Sequence, residues 1–134
     1  MSDNVDWGDY VRNTHNKYVV RYLAYTRAHI ETSQADFDAL EGERSNILTA
    51  MDRAYQEKQW ASVLNFMSAL KQYLHLQGHW QEAARRTHYT LDAAEQLRDA
   101  KAQAQWLFYA GLIQSEQGNY DEAERLAKEA KEIF

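Results

Sequence analysis

One six-residue pattern occurs twice in this chain, forty residues apart: Gly78-His79-Trp80-Gln81-Glu82-Ala83 and Gly118-Asn119-Tyr120-Asp121-Glu122-Ala123. Each copy reads as the end of one helix followed at once by the start of another. The glycine can adopt the left-handed conformation that closes a helix C-terminus. In the second copy Asn119 is placed to cap the next helix. Glu122 stands three residues on, where its carboxylate can bond back to the cap, and Asp121 and Glu122 suit the positive end of the helix dipole. A repeated turn of this kind restricts the chain to helices that reverse on one another. The chain has no proline and only five glycines, so little interrupts a helix and little suits tight strand hairpins.

Apolar residues follow helical spacing on both sides of each turn. Val63, Met67, Leu70 and Leu74 precede Gly78, and Ala83, Ala84, Thr87, Leu91 and Ala94 follow it. Leu107, Ala110 and Gly111, then Ala123, Ala127 and Ala130, repeat the scheme. Phe66 and Tyr73 widen the apolar stripe of their helix, as a helix held between two neighbours requires. Upstream, Ser33 to Asp36 opens a helix carrying Phe37, Leu40, Ile47, Leu48, Met51 and Tyr55. Before it, Val11, Tyr18, Tyr22 and Tyr25 share one face, which Val19, Leu23 and Ile30 extend. The pattern predicts a single all-α domain of six helices over 9–31, 35–57, 60–77, 80–98, 101–117 and 120–134, with residues 1–8 loose. The last four form two antiparallel pairs, 60–98 and 101–134, and residues 9–57 form a divergent first pair.

With 134 residues, 45% hydrophobic and 26% charged, the chain has the composition of a soluble folded domain. A formal charge of −5 argues against nucleic acid as a partner, since that affinity comes from clustered Lys and Arg. No stretch approaches the roughly 18 apolar residues of a membrane span, and the first residues lack the features of a signal peptide, so a cytoplasmic location is expected. The absence of cysteine excludes disulfides, thiolate catalysis and cysteine-bound zinc.

Few side chains group in a way that points to chemistry. His75 and His79 are four apart, a metal-ligand spacing, but Gly78 falls between them and no Glu follows His75 as a zinc hydrolase requires. Neither a metal nor any other cofactor is expected. His15, His29 and His88 have no partners in sequence, and Arg85, Arg86 and His88, with Lys71 and Lys101, read as solvated helix faces. Glu41 and Glu43 lack a neighbouring nucleophile or base. With no nucleophile, base and oxyanion donors in view, the chain is not expected to be an enzyme. Trp60, Trp80 and Tyr120 each open a helix, where a ring can wedge against the preceding one. Replacing a buried Trp80 by Ala would cost about 3 to 5 kcal/mol.

Taken together, these residues resemble the tetratricopeptide repeat, whose antiparallel helix pairs stack into a right-handed superhelix. In the last pair Leu107, Ala110-Gly111, Ala123 and Ala130 stand at the family's positions, with Gln114 in place of its tyrosine. In the earlier pair Met67, Leu70, Leu74 and Ala83 match, while Lys71 and Thr90 depart from the small residues. The spacing of forty exceeds the family's usual ~34, so helix 80–98 or its following turn is expected to absorb the excess. The resemblance implies a concave groove lined by the first helix of each pair. That places Asn65, Ser68, Gln72, His75 and Leu76 beside Gln105, Phe108, Leu112, Ser115 and Glu116, polar apart from a spot at Phe108 and Leu112. It also implies a role in holding a protein or peptide segment. Gln105, Phe108, Tyr109 and Leu112 occupy the places where some members grip a peptide carboxylate, so that clamp is not expected.

A second resemblance lies upstream. Leu40-Glu41-x-Glu43-x-x-Asn46-Ile47-x-x-Ala50-Met51, followed by Tyr55, is similar to the helical segment after the nucleotide-binding core of bacterial STAND-class signalling ATPases. The aromatic helix around Tyr18 and Tyr22 is similar to theirs as well. No phosphate-binding Gly-x-x-x-x-Gly-Lys-Ser/Thr occurs. This resemblance implies a piece of a larger signalling protein: either a regulatory module that binds a partner or a neighbouring domain of its own polypeptide, or an arm that senses a small effector. Ile133 and Phe134 leave an apolar end where solenoids carry a polar cap. The chain therefore reads as a fragment, and its end as a surface open to homodimer formation.

Overall fold

The computed structural model describes residues 6–133. Among them the chain forms seven α-helices and no strand: α1 (Trp7–Arg27), α2 (Gln34–Gly42), α3 (Arg44–Gln56), α4 (Trp60–Leu76), α5 (Trp80–Gln96), α6 (Ala100–Glu116) and α7 (Tyr120–Ile133). Helix α1 begins two residues earlier than its sequence pattern predicts, because Asp6 caps it by accepting from the Asp9 amide. The rest of the segment expected to be loose, residues 1–5, lies outside the described residues, as does Phe134.

Six helices become seven because the helix expected over 35–57 breaks after Gly42. Glu43 leaves the helical basin (φ −112°, ψ 10°), and its amide reaches back only three residues, to the Leu40 carbonyl at 3.2 Å. The break turns Glu41 and Arg44 towards the start of α5. There Tyr73 donates to Glu41, His79 Nε2 donates to Glu41 at 2.9 Å, and Arg44 donates to the other His79 nitrogen at 2.7 Å.

From α3 onward the chain keeps a stricter register than the two glycine turns indicate. Helices α4, α5 and α6 are each seventeen residues long. The four connections place Lys58, Gly78, Arg98 and Gly118 in the left-handed region at φ 58°, 73°, 54° and 82°. Each turn closes with the same bond five residues back: Gln59 to Ala54, His79 to Leu74, Asp99 to Ala94 and Asn119 to Gln114, at 2.8 to 3.0 Å. This is the Schellman arrangement, and it recurs every twenty residues. The excess over thirty-four is thus spread evenly, and α5 ends at Gln96 rather than running to 98. Asn119 and Glu122 do not form the expected reciprocal cap. The Asn119 amide group donates to Gln114, and Arg125 holds the Glu122 carboxylate at 2.6 and 2.9 Å.

The principal core joins α1 and α3 to α4, α5 and the inner face of α6. Met51, Val63, Phe66, Met67, Leu70, Tyr73 and Leu74 are its most enclosed large side chains, and Trp106 enters from α6. A second, smaller core of Leu107, Ala110, Leu126 and Ala130 binds α7 to α6. These two helices approach closely: a Cβ on Gly111 would lie 3.2 Å from the Ala123 carbonyl oxygen. Three expectations about burial are corrected. Val11 and Ile30 are exposed, because α1 packs only from His15 onward and Ile30 lies beyond its end. Tyr120 is exposed rather than wedged. Arg86, read as solvated, is 4% exposed and lies between Asp52 of α3 and Glu82 of α5.

Candidate binding surface

The positions proposed to line a groove recur at 65, 68, 72, 75 and 76 on α4 and at 105, 108, 112, 115 and 116 on α6, which is helical spacing along one face of each. Ser68, Gln72, His75, Leu76, Gln105, Phe108, Leu112 and Glu116 are exposed, and Asn65 and Ser115 are half-buried. Phe108 and Leu112 are 56% and 48% exposed. They form an apolar step on an otherwise polar surface.

A depression of about 310 Å³ between α4 and α6 brings part of this set together. It joins Ser68 to Gln105, Phe108 and Leu112, and adds Lys71, Trp106 and Tyr109. The remaining candidates lie along the same helices outside it. His75 packs edge-on against Trp80 with ring centres 4.6 Å apart, whereas His79 belongs to the Glu41 and Arg44 network. The two imidazoles spaced for a metal therefore engage different partners.

Three residues of the depression carry its distinctive physics. Trp106 is almost enclosed and meets Tyr109 edge-to-face at 5.5 Å. The Lys71 ammonium lies 5.9 Å from the Trp106 ring centre, within the range of a cation–π contact. The Tyr109 hydroxyl is buried with no hydrogen-bond partner among the described residues, and burial alone pushes its pKa up to about 12. An unpaired buried hydroxyl is uncommon and costs free energy. The run Trp106, Tyr109, Ile113 has helical spacing in the sequence, and it is this stripe that turns α6 onto the α4–α5 pair.

The described helices include none long and apolar enough to cross a membrane. The chain matches no protein-family profile, no curated protein and no solved structure.

Proposed function

We propose that this chain is a cytoplasmic protein-binding module whose helix pairs stack in the manner of tetratricopeptide repeats, as a right-handed superhelix. Its α4–α6 groove holds a segment of another protein or of a neighbouring domain of its own polypeptide, and it takes no chemical step itself. The observation that supports this reading most is the pairing of two exposed large apolar side chains, Phe108 and Leu112, with a polar surround and an adjoining depression. Such a step offers an anchor for an apolar side chain, with polar groups to fix register. The strict twenty-residue register from α3 to α7 supports the solenoid. The two resemblances of the sequence support reading the module as part of the regulatory arm of a larger bacterial signalling protein.

The test is capture of a partner encoded beside or together with this chain. A Phe108→Glu/Leu112→Glu variant is expected to keep its helical circular dichroism and thermal midpoint while losing capture. Undiminished capture by this variant would remove the groove from the proposal.

A second reading, an arm that senses a small effector, draws on the unpaired Tyr109 hydroxyl. A compact ligand entering the depression would supply that group with a hydrogen-bond partner. Calorimetry on the parent protein with a panel of metabolites separates the two: heat lost on Tyr109→Phe favours the effector, and no heat with any of them favours the protein segment.

A further inference from the structure

Two apolar surfaces, one early and one late in the chain, lack a partner among the described residues, and they are complementary. The first is the leading part of α1. Residues 7–14 are exposed throughout, yet they carry Trp7, Tyr10 and Val11 at i, i+3 and i+4, with Trp7 and Tyr10 at 68% and 59% exposure. The two rings meet edge-to-face at 5.8 Å. This segment remains helical through local bonds: the Asp6 cap, the Arg12–Asp9 ion pair at 2.8 Å, and the Thr14 hydroxyl donating to the Tyr10 carbonyl. An amphipathic helical stripe that covers nothing among the described residues has the form of a helix that docks into a groove.

The second surface is the outer face of the α6–α7 pair, a recess of about 400 Å³ lined by Ala104, Gln105, Phe108, Ala127, Ala130 and Lys131. Its small residues let a helix approach, and the Phe108 ring forms one wall. In the pair forty residues earlier, the place of the half-buried Ala127 is held by Thr87, which is 4% exposed where α6 covers that pair. The later pair has no such covering helix among the described residues. The charges also match. Lys131 on the rim, and Lys101 one turn before Gln105, have no ion-pair partner among the described residues, while α1 opens with Asp6 and Asp9.

We infer that the leading turns of α1 from a second copy of this chain dock into the α6–α7 recess, with Trp7 and Tyr10 as anchors. The contact is head-to-tail, so each copy offers both a stripe and a recess, and association proceeds to a closed ring or a longer row. The recess shares Gln105 and Phe108 with the α4–α6 depression, so the variants that test it leave both of those residues unaltered.

The test is the mass of the 134-residue chain in solution, followed by light scattering and sedimentation against concentration. The unaltered chain is expected to grow in mass with concentration. Trp7→Ala/Tyr10→Ala, which removes the anchors, and Ala127→Glu, which fills the recess and sets a negative charge towards Asp6 and Asp9, should each weaken association about a hundredfold. Circular dichroism melting establishes that each variant is folded. The deciding measurement is the mixture: the anchor variant retains the recess and the recess variant retains the anchors, so together they should form a one-to-one dimer and stop there. A chain that stays monomeric at every concentration would overturn the inference. So would folded variants that associate as before, or two variants that fail to combine, the last indicating a symmetric contact or a different occupant.

Discussion

The two helix pairs related by forty residues share one backbone plan and differ in what fills it. In α4–α5 the space between and around the helices is taken by Phe66, Met67, Leu70, Tyr73 and Leu74, and the pair is covered by α1 and α3 on one side and by α6 on the other. In α6–α7 the corresponding places hold Trp106, Leu107, Ala110, Ile113 and Gln114, with Gly111 where Lys71 stands in the earlier pair. The second helices differ in the same sense. Arg86, forked onto Asp52 at 3.0 and 3.1 Å, corresponds to Leu126, which packs in the small second core. One plan therefore accepts either an ionic or an apolar side chain at the same place. The earlier pair is fixed from both sides, and the later one rests on close approach.

The strongest way to break this comparison is at Trp106, where the later pair enters the core of the earlier one. Trp106→Ala is expected to lower stability by about 3 to 5 kcal/mol, measured by urea unfolding, against roughly 2 kcal/mol for the half-buried Trp80. Equal losses would mean that α6 is not anchored by its tryptophan. Next comes the ionic contact. Asp52→Ala leaves the enclosed Arg86 with Glu82 alone and should cost about 2 kcal/mol, less than a fully buried pair because Asp52 is partly solvated. Replacing both by Leu, to copy the Leu126 solution, should fall within about 1 kcal/mol of the unaltered chain. A large loss in the double variant would show that the two contacts are not interchangeable.

Gly111→Ala tests the close approach. The added methyl meets backbone rather than a movable side chain, so a loss of about 1 to 2 kcal/mol is expected, and a neutral result would show that α7 can shift. At the turns the signs oppose each other. Gly118→Ala should destabilise by about 1 kcal/mol, whereas Arg98→Gly should stabilise by up to about that amount, because Arg98 holds a left-handed conformation that disfavours a side chain. The smallest effect concerns acid. Glu41 has its pKa held below its ordinary 4.5, first by the Tyr73 hydroxyl and then by His79 and Arg44. Its contribution is therefore present above pH 4.5 and lost as pH falls through the lowered value. Tyr73→Phe should flatten that acid limb, and an unchanged limb would assign it to other carboxylates.

Much of this architecture is legible in the letters of the chain, though unevenly. Glycine marks the turns at Gly78 and Gly118, but the same turns at Lys58 and Arg98 are invisible, since a basic residue forced into the left-handed region leaves no compositional sign. The break at Glu43 is equally silent: no proline stands there, and Gly42 alone does not end a helix. Arg86 reads as solvent-facing until the fold brings Asp52 of another helix to it. On the candidate surface, helical spacing selects exposed positions on α4 and α6. It cannot tell which of them face each other across the depression, nor that Lys71, Trp106 and the unpaired Tyr109 hydroxyl complete it.

The identical closure of four successive turns bears on how a chain of this kind changes length. Each segment from one left-handed residue to the next begins and ends in the same backbone conformation. A duplicated block of forty residues could be spliced in at residue 119 without inventing a new joint, provided its outer face resembled that of its parent. Reach is then a quantity that gene duplication can set in steps of one helix pair, while the sequence of each pair stays free to diverge.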